Sequence, residues 1–265
     1  PLFRMGRYKG GLIEVEKYKR VKPYGNLAAR TIGKEAINGA HGLGIEQAYD
    51  TYLRGEEGLR LMEKLAGGMW RPVDHENTIE PIDGYDIVTT IDPQLQDVAT
   101  SELYRQLQMN SASHGCVVVM EVATGDIAAI ANLKRSEDGN YYESYNYAIG
   151  EATDPGSTFK LATMMALLDD GYVKPTDLIS TGDGSITYYD HTVHDSHKNG
   201  TLTVQHAFEV SSNVAFIKMT MQHYSGNPQK FIDHLKKLHL HELLNTGLPG
   251  EATPIVRDKG APGWS

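Results

Sequence analysis

The residues Asp154-Pro155-Gly156-Ser157-Thr158-Phe159-Lys160 lead straight into the apolar run Leu161-Ala162-Thr163-Met164-Met165-Ala166-Leu167-Leu168. Pro-Gly supplies a helix start, and a run that is apolar almost all round reads as a buried helix. Ser157 and Lys160 stand three residues apart, so on a helix they lie one turn from each other on one face. A serine hydroxyl is a poor nucleophile unless a base sits within hydrogen-bond reach, and a lysine is a base only once its ammonium has been made more acidic. Free lysine titrates near ~10.4, and an apolar wall or the positive end of a helix dipole lowers that value. S-x-x-K alone is a weak signal, because a surface serine beside a solvated lysine matches it equally well.

A second element raises its weight. Ser211-Ser212-Asn213 follows about fifty residues later, between Thr203-Val204-Gln205-His206-Ala207-Phe208 and Val214-Ala215-Phe216-Ile217-Lys218-Met219. The first of these flanks reads as a short helix capped by Thr203 and the second as the start of another, with the triplet as the turn between them. Serine and asparagine are good turn formers in their own right. Paired with Ser157 and Lys160, a serine here can relay a proton to a leaving amine, and an asparagine amide can hold the lysine and bind a peptide carbonyl. The constellation of Ser157, Lys160, Ser211 and Asn213 points to serine acyl-transfer chemistry.

Around these motifs the chain reads as two parts. Residues 1–85 hold strand-like pieces such as Gly11-Leu12-Ile13-Glu14-Val15, glycine-rich turns and an acidic middle, which suit an irregular domain. From Asp86 the pattern predicts a strand over Asp86–Asp92, a helix from Pro93 to about Gln108 started by Asp92-Pro93, and a hairpin across Val117–Ala131 turning at Thr124-Gly125. Leu133–Tyr145 is polar and reads as a loop. The fold class expected is α+β.

Composition sets bounds on function. Of 265 residues, 40% are hydrophobic and 22% charged, ordinary values for a globular chain. No apolar run reaches the length needed to span a bilayer, and no signal peptide is present. A net charge of -9 argues against nucleic acid as a partner. Residues 1–34 nevertheless carry nine Lys/Arg against two acids, a solvated arm suited to docking on acidic surface. The single Cys116 permits no internal disulfide and reads as a small buried strand residue. His191, His194, Asp195 and His197 form an H-x-x-H-D-x-H cluster that offers a zinc-dependent amidase as an alternative, but without ligand spacing such as H-E-x-x-H. No cofactor is expected.

Pro-Gly-Ser-x-x-Lys followed by Ser-x-Asn resembles class B penicillin-binding proteins, membrane-anchored D,D-transpeptidases that cross-link peptidoglycan, and it looks closest to the cell-division type. Nearly the whole chain shares the resemblance. Tyr24–Gly33, Gly42–Asp50 and Leu53–Gly58 look like the family's pedestal segments, Asp86–Asp92 with Gln96 like the entry to the transpeptidase domain, and Val119–Ile127 like its first hairpin. Asp154 departs from the glutamate that many relatives carry before Pro-Gly. The resemblance implies a pedestal (dimerisation-like) domain over 1–85 and the N-terminal portion of a penicillin-binding-protein/serine β-lactamase-like transpeptidase domain over 86–265. It implies an antiparallel sheet flanked by helices, with the active site between the sheet and a helical lobe. Ser157 is then the acylated nucleophile, Lys160 its base, and Ser211 and Asn213 the second motif, with no metal.

The same resemblance implies peptidoglycan stem peptides ending in D-Ala-D-Ala as substrate, β-lactam antibiotics as inhibitors, and other division and cell-wall synthesis proteins as partners. It implies an inner-membrane protein with one N-terminal anchor upstream of Pro1 and its catalytic part on the periplasmic side. The family's third motif, Lys-Thr/Ser-Gly, does not occur; Asn245-Thr246-Gly247 lacks the lysine. On that reading both ends of the chain are cut, it stops inside the catalytic domain, and it is expected to be inactive by itself. The alternatives are an elongation-type transpeptidase, a non-catalytic cell-wall scaffold, and a serine β-lactamase-like hydrolase, which would show valine at the place of Asn213 and lack the pedestal.

Overall fold

A computed structural model describes residues 19–34, 42–66, 68, 70–73, 78–188 and 190–261. The strand expected at Gly11–Val15 and the first eighteen residues of the basic arm lie outside the described residues. Two compact units divide the chain, Pro1–Ala148 and Ile149–Ser265.

In the first unit, residues before 86 form short pieces. Helical turns at Ala29–Ile32, Gly44–Ala48 and Asp50–Leu53 precede two minimal antiparallel pairs, Leu59–Arg60 with Thr78–Ile79 and Met62–Lys64 with Trp70–Pro72. Gly33 is required where it stands: its φ is 87°, and a Cβ there would fall 1.7 Å from the Leu43 carbonyl oxygen, across the Lys34–Leu43 bridge.

Helix α1, Pro93–Met109, starts as the sequence predicts. Asp92 accepts hydrogen bonds from the backbone N–H of Gln94 (2.7 Å) and Leu95 (3.1 Å), and Pro93 fills the first turn. Its buried residues Gln96, Ala99, Leu103 and Leu107 recur at helical spacing and belong to the face that covers a hairpin. That hairpin joins β1, His114–Met120, to β2, Ile127–Arg135, with Val118 opposite Ile130. Gln96 is fully buried and exchanges two hydrogen bonds with the Ile130 backbone, its Oε1 accepting from N–H (2.8 Å) and its Nε2 donating to the carbonyl (3.1 Å). A third strand, β3 (Tyr141–Tyr142), pairs with the end of β2, and the Tyr141 hydroxyl donates to the carbonyls of Leu107 and Ala112.

Three expectations change here. Cys116 lies in β1 as expected of a strand residue, but on its exposed side rather than buried, because neighbouring residues of a strand point to opposite faces. Asp86–Asp92 is not a strand: it is linked to β2 only by Asp92 N–H to Ala128 O (2.9 Å) and the Thr90 hydroxyl to Ile127 O (2.8 Å), and Val88 is 95% exposed. Two isolated hydrogen bonds do not make a ladder. Leu133–Tyr145 is not a single loop, because β2 continues through Arg135 and β3 returns after a turn at Gly139, so the polar side chains there lie on the exposed end of a pleated pair.

The second unit is mainly helical. A 3₁₀ turn, Gly156–Phe159, feeds helix α2, Lys160–Asp169. Strands β4 (Leu178–Ser180), β5 (Ser185–Tyr188), β6 (His191–His194) and β7 (Thr201–Thr203) follow, β5 pairing with β6 and β4 with β7. Then come α3 (Val204–Glu209), α4 (Asn213–Tyr224) and α5 (Pro228–Lys237). Thr203 caps α3 by accepting from His206 N–H at 3.1 Å, as expected, and Ser212 caps α4 by accepting from Ala215 N–H at 3.0 Å. Helix α2 buries one face, including Met164, Ala166 and Leu167, against Val204, Ala207, Ala215, Phe216 and Met219. It is not apolar-buried all round: Leu161, Met165 and Leu168 are 55%, 44% and 42% exposed, a second stripe at helical spacing. Among the described residues, no helix is long and apolar enough to cross a membrane.

Candidate active site

Gly156 takes φ +59°, a left-handed setting that favours glycine, and the 3₁₀ turn it opens leaves Ser157 exposed at the head of α2. Lys160 is the first residue of α2, half-buried, with its Nζ 3.2 Å from the Ser157 hydroxyl. The second motif comes from the α3–α4 turn. Ser211 follows α3 with φ +55°, the left-handed conformation common just past a helix end but uncommon for serine, and its N–H returns to the Phe208 carbonyl at 3.0 Å. That conformation turns the chain so that Asn213 becomes the first residue of α4.

These elements converge on one ammonium. Lys160 Nζ donates to the Ser211 carbonyl (2.6 Å), the Ser211 hydroxyl (2.9 Å) and Asn213 Oδ1 (2.6 Å), besides Ser157 Oγ. All four residues proposed from the sequence are therefore brought together. Four oxygens surround a group that has three protons to give, so the lysine can exchange its Ser157 and Ser211 hydroxyl contacts while the Ser211 carbonyl and Asn213 amide hold it in place. Burial pulls the Lys160 pKa below its ordinary value, and the negative charge of Asp195 works against that pull. Phe216 lies beneath, its ring centroid 5.9 Å from Nζ, and forms part of an apolar cavity of about 390 Å³ beside the lysine that is also lined by Gly156, Thr163 and Val193. Such a wall sets apolar surface against one side of the base.

The sequence did not single out what holds the second motif. Asn213 Nδ2 donates to the His194 carbonyl at 3.0 Å, and the Asp195 carboxylate accepts from the Ser212 hydroxyl at 2.7 Å and from Val214 N–H at 3.0 Å. Asp195 was visible only as a member of the histidine cluster. Among the described residues no three His, Cys, Asp or Glu side chains are grouped to hold a metal ion. Asn245-Thr246-Gly247 forms a turn closed on Glu251, whose carboxylate accepts from the backbone N–H groups of Leu244, Asn245 and Thr246.

A chain that offers a lysine-coupled serine flanked by a second serine and an amide can form and resolve an acyl ester: one hydroxyl attacks, the amine takes its proton, and the other hydroxyl passes it on. Comparison with known proteins points the same way. A model described as the penicillin binding protein transpeptidase domain matches residues 115–261. The peptidoglycan D,D-transpeptidase FtsI of Buchnera aphidicola is 29% identical over 254 residues, covering 94% of this chain and 44% of its own length. Penicillin-binding protein PbpB of Mycobacterium tuberculosis is 28% identical over 245 residues, covering 89% of this chain and 36% of its own. The crystal structure of penicillin binding protein 3 from Mycobacterium tuberculosis superposes with a TM-score of 0.71 at 26% identity, covering 90% of this chain and 51% of that one. The chain spans less than half the length of these two curated relatives and about half of the solved chain.

Proposed function

This chain belongs to the penicillin-binding-protein transpeptidase family, with class B relatives, and from that premise we propose that it carries the acylation machinery of a cell-division-type D,D-transpeptidase. The observation that carries the proposal is the single ammonium of Lys160 within hydrogen-bond distance of Ser157 Oγ, Ser211 Oγ and Asn213 Oδ1.

In the proposed mechanism neutral Lys160 takes the proton of Ser157 as its Oγ attacks the carbonyl carbon of the D-Ala-D-Ala amide. The C–N bond breaks, and the leaving D-alanine nitrogen receives a proton from Lys160 through the Ser211 hydroxyl. The ester on Ser157 is then attacked by the amine of a second stem peptide, which forms the cross-link and returns Oγ its proton. Asn213 holds Lys160 in reach of both hydroxyls. A β-lactam enters by the same first step, its ring amide standing in for the peptide bond. Because peptidoglycan lies outside the cytoplasmic membrane, the proposal places the site of action there, among other proteins of septal wall synthesis. It also assigns 1–85 to a pedestal and 86–265 to the transpeptidase portion; the family match over 115–261 falls within the second of these.

The test is intact-protein mass spectrometry after penicillin treatment of the whole protein carrying this chain. One adduct is expected, on Ser157, and Ser157→Ala should abolish it; an adduct that survives the substitution overturns the assignment.

A further inference from the structure

Strand β6 ends at His194, and the next residue is tied into the second unit at three points. The Asp195 N–H donates to the Gly184 carbonyl at 2.8 Å, which fixes the carboxylate's origin on the turn before β5. Its Oδ2 accepts from Ser212 Oγ and its Oδ1 from Val214 N–H, so the two oxygens straddle Asn213. Ser212 is 1% exposed and its hydroxyl, having donated to Asp195, accepts from Ala215 N–H to cap α4. The preceding carbonyl, of His194, accepts a hydrogen bond from Asn213 Nδ2. With Nδ2 engaged there, Oδ1 is left to face Lys160.

We propose that Asp195 is a positioning residue for the Ser157–Lys160 pair: its carboxylate fixes the Ser212-Asn213-Val214 turn so that Asn213 and Ser211 hold the lysine against the nucleophile. This rests on the reading of Ser157 and Lys160 as the acylation machinery. A left-handed serine at 211 persists only where its surroundings impose it, and the part-buried Asp195–Ser212 hydrogen bond is one of the constraints on the residues that follow it. A carboxylate is the suitable group for the task, because it accepts from a hydroxyl and an amide N–H at once and favours the N-terminal end of α4. It also leaves a chemical signature, since its charge favours the protonated form of Lys160. Around the lysine stand the Ser157 and Ser211 hydroxyls, the Asn213 amide, His191 of β6 on the shared cavity, and Asp195.

The experiment is the rate of penicillin acylation at Ser157 against pH in the whole protein, for the parent, Asp195→Asn, Ser212→Ala and Thr203→Ala. Asp195→Asn removes the charge, so the acidic limb of the profile should move to lower pH while the plateau falls about tenfold or more as the turn loosens. Ser212→Ala keeps the charge and should lower the plateau without moving the limb. Thr203→Ala, which removes the cap at the opposite end of α3 from Ser211, should leave both in place. A parent-like profile for Asp195→Asn, or a lower plateau with an unmoved limb, overturns the proposal by making Asp195 dispensable or merely structural. A parent that gains no adduct on Ser157 overturns the site reading and this proposal with it.

Discussion

At the scale of single residues, the site turns on how Lys160 is held. Two of its partners, the Ser211 carbonyl and Asn213 Oδ1, lie at 2.6 Å, closer than the two hydroxyls. An amine so bound is fixed in place, and burial makes its proton easier to lose. On the proposed mechanism, acylation therefore rises with pH through a lysine pKa that lies below the ordinary 10.5. Lys160→Arg keeps the charge and some hydrogen bonds but cannot lose its proton near neutral pH. It should acylate nearly as slowly as Lys160→Ala, with a loss of ~10²–10⁴ in rate. Stopped-flow measurement with a fluorescent penicillin checks this, and an arginine variant close to the parent would reduce Lys160 to a structural cation.

At the scale of elements, the helices of the second unit are tied together at the end of α2. Asp170, just past that helix, accepts from the Tyr224 hydroxyl of α4 at 2.8 Å and lies 2.9 Å from Lys230 Nζ and 3.0 Å from His234 Nε2, both on α5. Burial pushes the Asp170 carboxyl up, but the hydrogen bonds from Lys230, Tyr224 and His234 outweigh it and bring the pKa down to about 2. A carboxyl whose folded pKa lies below its unfolded value of 3.8 stabilises the fold above pH 4, and that contribution fades as pH falls toward 2. Asp170→Asn should cost about 1–2 kcal/mol at neutral pH and flatten the pH dependence of stability between about 4 and about 2. Urea denaturation at a series of pH values measures both, and an unchanged slope in that window would remove Asp170 from the latch.

At the scale of the whole molecule, the described residues hold two cores, one in each unit. Ala99, Leu103, Leu107, Ala129, Ala131 and Leu133 make the first; Met164, Leu167, Val204, Ala215, Phe216 and Met219 belong to the second. The second core is the one that bears on chemistry, because α2 and α4 carry Lys160 and Asn213 on their first turns and pack through it. Leu167 is fully buried at that contact. Leu167→Ala should cost about 2–5 kcal/mol and also slow acylation, since a cavity between the helices lets the two motifs drift apart. Thermal unfolding and the labelling rate report the two effects; a destabilised variant with parent-like labelling would separate the core from the site's geometry.

What the sequence determined by itself was local or carried by motif spacing. Asp92-Pro93 and Thr203 cap the helices they precede because an N-cap needs only its own next three residues. Ser157 with Lys160, and Ser211 with Asn213, were legible as two short motifs whose pairing pointed to one site, and the structure brings their side chains together on the Lys160 ammonium. The strand expected at Asp86–Asp92 failed for the opposite reason: a strand exists only through a partner ladder, and two hydrogen bonds to β2 do not make one. The exposed stripe of α2 was hidden in the same way, since an apolar run names no neighbour for each of its faces. Asp195 read as a possible metal ligand among histidines, and only the tertiary structure set its carboxylate against Ser212 and Val214, seventeen and nineteen residues away. Such a contact depends on how β6, α3 and α4 pack, and packing is a property of the whole fold that no short window of sequence contains.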